Sequence, residues 1–222
     1  MAGVTITERV SEMEASASAA PDPRLAAFAR EREALAGTAP PPSTIAVGAA
    51  LPDAELLGAD GSPRTLGGAV GDGLAVLVLY RGAWCPYCNL TLRTYQTELL
   101  PALRERGAAL VAVSPQAPDG SLSMQEKNDL EFAVLSDPGN VLARAAGVLT
   151  EPTAESRRSQ LELGLDLAAV NADGGAGLPM PTAAILDPSL TVRWIDVHPN
   201  YATRSEPTEI LAALDVVAAE DR

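Results

Sequence analysis

Two stretches of the chain are apolar at every position, Leu74 to Tyr80 and Ala108 to Val113. Runs of this length without alternation predict strands buried on both faces of a sheet. Between them, Leu90 to Arg106 carries apolar residues at helical spacing and stops at Gly107, which predicts a helix with a glycine C-cap. Ala54 to Leu57 and Arg64 to Leu66 flank the turn sequence Ala59-Asp60-Gly61-Ser62 and predict a hairpin. Helix-compatible sequence spans Ser121 to Leu130, a short strand Phe132 to Leu135, and a short helix Asn140 to Ala146. Thr182 to Leu186 and Thr191 to Val197 are two further strands joined at Asp187-Pro188-Ser189. An amphipathic helix from Glu206 to Ala219 closes the chain, with Ser205 as its expected N-cap.

This order makes an α/β layered domain. The last two strands are too close for a helical crossover, so the central sheet must be mixed rather than wholly parallel. Residues 47–222 form this domain, and residues 1–46 read as a helical arm with a proline-rich linker. In the arm, Asp22-Pro23 starts a helix carrying Leu25, Phe28 and Leu35, and Thr5 to Ala17 offers another with a thin apolar face. Ala39-Pro40-Pro41-Pro42-Ser43 is a stiff connector. The arm is expected to pack on the domain or on a second subunit, with a disordered tail as the alternative.

Composition narrows the class. The 222 residues are 47% hydrophobic and only 4% aromatic, so the core is built from Ala, Val and Leu. A net charge of -13 without a basic stripe argues against nucleic acid and anionic membrane surfaces as partners. The N-terminus bears Glu8, Glu12 and Glu14 where a secretory signal would be basic, and no stretch reaches the ~20 apolar residues of a membrane span. A cytoplasmic protein is expected.

The chain has two cysteines, in Trp84-Cys85-Pro86-Tyr87-Cys88. Cys85 directly follows a buried strand and stands where a helix begins. Unpaired N–H groups and the positive end of the helix dipole favour a thiolate there. Pro86 suits the first helical turn, where its missing N–H costs nothing. Cys88 shares a face with Cys85, with Cα atoms about 5–6 Å apart, within disulfide range. Cys85 is therefore the expected nucleophile, exposed and acidic, and Cys88 the more buried resolving thiol. Structural zinc needs four ligands, and His198 alone remains besides the cysteines, so neither metal nor cofactor is implied. Arg81 stands four residues from Cys85, either stabilising its thiolate or ending a strand in solvent. Trp84 reads as a lid on the disulfide and Tyr87 as surface packing. Arg193, His198, Tyr201 and Arg204 gather near the C-terminal hairpin, where His198 reads as structural.

With Met180-Pro181-Thr182 before a late strand, the chain resembles the thioredoxin superfamily. Ala50-Leu51-Pro52-Asp53, Tyr80 to Cys88, Val111-Ala112-Val113-Ser114 and Leu135-Ser136-Asp137-Pro138 are similar to the peroxiredoxin-like branch, the alkyl hydroperoxide reductase/thiol-specific antioxidant family. The resemblance implies a thioredoxin-like fold, a peroxidatic Cys85 that becomes a sulfenic acid, and a cis Pro181 against the cysteines. It implies recycling by a thioredoxin-like protein or a low-molecular-weight thiol, and makes a homodimer a candidate assembly. Two departures stand out. The family's threonine three residues before the attacking cysteine is Gly82, and its arginine near the late strand is replaced by Pro181-Thr182. Cys-Pro-Tyr-Cys is the glutaredoxin-type pair. Peroxide reduction is the first expectation, general thiol–disulfide exchange on protein or small disulfides the second, and a non-catalytic redox sensor the third.

Overall fold

A computed structural model describes residues 3–19 and 22–220. Helices α1 (Ile6–Ser18) and α2 (Ala26–Leu35) precede the hairpin β1 (Glu55–Leu57) and β2 (Pro63–Thr65). There follow α3 (Leu66–Val70), β3 (Ala75–Leu79), α4 (Pro86–Thr94), α5 (Leu100–Glu105), β4 (Ala109–Ser114) and α6 (Pro118–Lys127). Next come β5 (Ala133–Ser136), α7 (Val141–Ala145), β6 (Leu149–Thr150), α8 (Ala154–Glu162), α9 (Leu167–Val170) and β7 (Leu178–Pro179). The chain closes with β8 (Thr182–Leu186), β9 (Val192–Val197) and α10 (Pro207–Glu220).

Seven strands form one mixed sheet in the order β2-β1-β5-β4-β3-β8-β9. Strand β3 runs parallel to β4 and antiparallel to β8, β4 is parallel to β5, and β8 and β9 are an antiparallel pair. The mixed sheet is the one the strand–helix order predicts, and the fold is thioredoxin-like, as the family resemblance implies. The pleat sorts each central strand between two cores. Val76, Val78 and Tyr80 join Leu110, Ala112 and Ile185 on the face covered by α1, α4, α5 and α10. Ala75, Leu77 and Leu79 join Val111, Val113 and Leu186 on the other face. Both cysteines belong to the first face.

The helix expected from Leu90 begins four residues earlier, at Pro86, and widens into a π turn over Tyr95–Leu99. Pro101 follows this turn, has no N–H to give the carbonyl of Thr97, and sterically opposes regular α-helix there; the Leu100 N–H accordingly reaches back to the Tyr95 carbonyl. Ser205 does not cap α10. Its hydroxyl donates to Asp196 at 2.7 Å, and the carboxylate of Glu209 instead accepts the Glu206 N–H at 2.8 Å.

The arm finds its packing site on its own chain. Ile6 and Val10 are buried among the residues of the first core, a burial worth about 1.5–3 kcal/mol for each side chain. Thr5 and Glu8 make a capping box at the start of α1. The Glu206 carboxylate accepts the N–H groups of Ile6 and Thr7 at 2.8 and 2.9 Å and the Thr7 hydroxyl at 3.0 Å. From α2, the buried Glu31 carboxylate accepts the Thr153 N–H at 2.7 Å and the Ser156 hydroxyl at 2.9 Å, capping α8. The proline-rich linker passes over Gly147, where a Cβ would lie 1.8 Å from the Ser43 carbonyl oxygen. Packing of the arm therefore supplies no reason for a second subunit. Among the described residues, no helix is long and apolar enough to cross a membrane.

Candidate active site

Strand β3 delivers the chain into the loop Tyr80 to Trp84, and Cys85 is the N-cap of α4 with Pro86 at its first position. Two amides lock this loop. Asn89 donates to the carbonyls of Ala83 and Cys85 at 2.7 and 2.8 Å, and Gln116 accepts the Ala83 N–H at 2.5 Å. Asn128 in turn donates to Asn89 at 3.0 Å. Gly82 has φ +147°, and a Cβ there would lie 2.5 Å from Trp84 Nε1 and 2.8 Å from the Gln116 amide. The position can hold no threonine while Trp84 and Gln116 stay in place.

The two thiols are both buried, Cys85 at 1% exposure and Cys88 at 0%. This corrects the expectation of an exposed Cys85, because the arm and Tyr201 close around it. Cys85 nevertheless lines a cleft of about 1070 Å³, walled by Met13 and Phe28 of the arm, Trp84, and Leu163 and Leu165 beyond α8. Cys88 faces the opposite way, into an internal void of about 10 Å³ shared with Pro181, Thr182, His198 and Arg204.

Charge is distributed unevenly over the pair. The Arg204 guanidinium donates to Cys88 Sγ at 3.3 Å and is itself held by the carbonyls of Tyr201 and Thr203 at 2.5 and 2.6 Å. The thiols also hydrogen-bond to each other. Burial pushes the Cys85 thiol up, and the bond it gives Cys88 adds to this; Arg81 and Arg204 only partly offset the rise. Burial opposes ionisation of Cys88 too, but the Cys85 bond, the Arg204 charge and the Arg81 backbone N–H outweigh it and hold Cys88 low. The surroundings thus favour ionisation of Cys88 over Cys85, against the expectation that the helix start makes Cys85 the acidic thiol. At the helix terminus the dipole favours a Cys85 thiolate, but a guanidinium in contact with the neighbouring sulfur is the stronger influence.

Arg81 is buried at 6% exposure, its guanidinium 3.9 Å from the Tyr201 ring centre and 5.0 Å from that of Trp84. It is a part of the site and not a solvent-facing strand end. Tyr87 is buried as well; its hydroxyl donates to Glu14 of α1 at 2.7 Å and pins the arm to the site. Burial and this bond raise the Tyr87 hydroxyl far above the ordinary tyrosine range. Pro181 and Thr182 adjoin Cys88, as expected, but the peptide bond before Pro181 is trans. Met180 N–H donates to the Val148 carbonyl and His198 N–H to the Pro181 carbonyl, both at 2.8 Å, so extended backbone continues from β7 into β8. Both ring nitrogens of His198 are occupied, with Asp196 at 2.9 Å and Thr203 at 2.8 Å.

Sequence reasoning passed over Asn89 and Gln116 and gave Arg204 no role. The signal for Asn89 was its place four residues after Cys85; Arg204 and Gln116 had none, since only the fold brings them to the cysteines.

A model of the AhpC/TSA family matches residues 47–195. The chain belongs to the AhpC/TSA family. Solved structures similar to it include peroxidoxin BcpB from Mycobacterium tuberculosis, at 22% identity and TM-score 0.58 over 78% of this chain and 96% of that one. Reduced Prx3 from Vibrio vulnificus in complex with H₂O₂ is similar at 22% identity and TM-score 0.62, over 77% and 99% of the two chains. A mutant of PrxQ from Xylella fastidiosa is similar at 17% identity and TM-score 0.60, over 78% and 98%. These likenesses establish the fold. No curated protein matches the chain. As a member of the AhpC/TSA family, the protein is a thiol-dependent peroxidase.

Proposed function

We propose that the protein reduces hydroperoxides through a dithiol–disulfide cycle in which Cys85 is the nucleophile and Cys88 its proton acceptor and resolving thiol. The observation that carries this reading is the division of labour between the sulfurs. Cys85 lines the cleft, whereas Cys88 lies beneath it, bonded to Arg204. As Cys85 Sγ attacks the peroxide, its proton passes to the Cys88 thiolate, so the attacking sulfur is ionised only during the reaction. The O–O bond breaks, Cys85 becomes a sulfenic acid, and the departing alkoxide takes the proton from Cys88 and leaves as an alcohol. Cys88, again a thiolate, attacks the sulfenic sulfur and expels hydroxide, giving the Cys85–Cys88 disulfide. Arg81 and Arg204 stabilise the charge throughout, and Trp84, Pro86, Tyr87, Pro181 and Thr182 shape the surroundings. Two thiol equivalents return the disulfide to the dithiol in the cytoplasm, the compartment inferred from the sequence. Residues 47–222 would form the catalytic domain and residues 1–46 its appended arm.

Stopped-flow Trp fluorescence of the reduced protein with hydrogen peroxide tests the cycle. Rapid oxidation that vanishes in Cys85→Ser is expected, with a dimedone-reactive sulfenic acid accumulating in Cys88→Ser. Oxidation no faster than that of a free thiol would sink the peroxide reading. Gly82 favours the second reading, thiol–disulfide exchange, because no side chain there can hold a peroxide; rapid reaction with a disulfide alongside slow oxidation by peroxide would select it.

A further inference from the structure

We infer that the arm-walled cleft is the seat of the reductant, and that this reductant is a low-molecular-weight thiol bearing a carboxylate, not a thioredoxin-like protein. The inference rests on the Cys85/Cys88 cycle and names its second substrate. Access is the first argument. Cys85 is 1% exposed and its opening is the cleft between α1, α2 and the segment after α8. A volume of about 1070 Å³ is that of a small-molecule site. A folded partner presenting its cysteine from a flat surface cannot bring it to a sulfur at the base of such a cleft unless the arm leaves, and the arm is held by Glu206, Glu31 and Tyr87.

Charge is the second argument. Arg81 lines the cleft, is more than nine-tenths buried, and has no carboxylate within ion-pairing distance among the described residues. Its contacts are the faces of Tyr201 and Trp84. In the reduced protein the cysteine pair supplies the negative charge that Arg81 faces. Oxidation to a neutral disulfide removes it and leaves a buried guanidinium without an anion, a costly state. An anionic thiol in the cleft restores the balance, and it does so in the redox state that requires reduction. Arg32 on the cleft wall is neutralised by its ion pair with Glu14 at 3.2 Å, so Arg81 carries the charge of the cleft. The apolar walls, Met13, Phe28, Leu163 and Leu165, take the rest of the molecule.

The chemistry then has a direction. The thiolate of the reductant attacks Cys85 Sγ, the S–S bond breaks, and Cys88 leaves as the thiolate stabilised by Arg204. A low-pKa leaving thiol departs faster. A second reductant molecule attacks the external sulfur of the mixed disulfide and takes it away as the oxidised dimer, returning Cys85, which recovers a proton from solvent. Two thiols are oxidised to one disulfide as the protein disulfide is reduced.

The test starts from protein oxidised with diamide, so it does not depend on reaction with peroxide. Trp84 fluorescence follows reduction by 3-mercaptopropionate, 2-mercaptoethanol and cysteamine, with rates corrected for thiolate fraction, and by a thioredoxin-type dithiol protein. The anionic thiol should be faster than the neutral one by about tenfold and the cationic one slowest, an order of discrimination that one charge-assisted contact supplies. The advantage should be lost in Arg81→Gln and shrink in Arg32→Gln, where Glu14 on the cleft wall is left unpaired. Equal rates for the three small thiols, or faster reduction by the dithiol protein, would overturn the inference while leaving the peroxide cycle standing. Failure of diamide to form the disulfide would instead defeat the cycle itself, and the inference with it.

Discussion

Arg204 and Cys88, 116 residues apart in the chain, meet at 3.3 Å inside the protein, guanidinium to sulfur. The contact places a permanent cation against the thiol that faces away from the cleft. Replacing Arg204 with Met should raise the Cys88 pKa by about 1–2 units, the equivalent of losing a hydrogen bond to a charged group. Ultraviolet thiolate absorbance against pH would read the shift, and peroxide oxidation near neutrality should slow in parallel. Arg204→Lys should recover part of both. An unchanged titration would remove Arg204 from the account of the site.

Because Cys88 is held low, activity should fall with acidification through its folded-state pKa, as protonation removes the acceptor for the Cys85 proton. The stability arithmetic has the same sign: a depressed pKa stabilises the fold above the unfolded thiol value of about 8.5 and loses that contribution as pH falls through the folded value. Reduced wild type should therefore lose more stability than Cys88→Ser on going from mildly alkaline to acidic pH, in urea titrations. Parallel curves would count against an ionised Cys88.

Introducing the family's threonine at position 82 should not help the enzyme. The left-handed backbone and the 2.5 Å approach of Trp84 Nε1 leave no room for a β-branched side chain. Gly82→Thr is expected to cost about 1–3 kcal/mol in denaturant unfolding and to leave the rate constant with peroxide no higher than wild type. A stable variant with faster oxidation would contradict the geometry.

The arm should open when its clamps are cut. Glu206→Gln weakens the cap on Ile6 and Thr7, and Tyr87→Phe removes the bond to Glu14. Each should loosen the arm by about 1–2 kcal/mol, seen as faster alkylation of Cys85 and faster proteolysis within α1. Unaltered alkylation in the double variant would mean that the arm does not govern access.

Asp196 offers a separate pH signature. Its bond to His198 holds the carboxyl below the usual range, against its partial burial, with help from Ser205. A depressed carboxyl stabilises the fold above about pH 4 and stops doing so as pH falls through the folded value. Asp196→Asn should therefore lower thermal stability at neutral pH and converge with wild type in acid. A constant gap across that range would show that the contact acts by shape and not by charge.

Local chemistry was legible in the sequence wherever it depended on neighbours in the chain. The unbroken apolar runs at Leu74 and Ala108 can be satisfied only inside a sheet, and the closeness of Thr182–Leu186 to Val192–Val197 requires an antiparallel pair. Trp84 to Cys88 after a buried strand places two sulfurs at a helix start. The segment from Gly147 to Leu178 gave no such signal, because α8 and β6–β7 owe their stability to contacts such as that of Glu31 with Ser156, across 125 residues. The same distance limit explains why Cys85 read as exposed and is in fact buried. Spacing along the helix made Cys85 the acidic one, as the helix dipole alone would have it. Tertiary structure decided otherwise by closing the arm over Cys85, bringing Arg204 to Cys88, and leaving Arg81 buried among aromatic rings. A helix terminus is visible in five residues of sequence, whereas burial and a guanidinium in contact are properties of the assembled chain, and at distances of a few ångströms they outweigh the dipole.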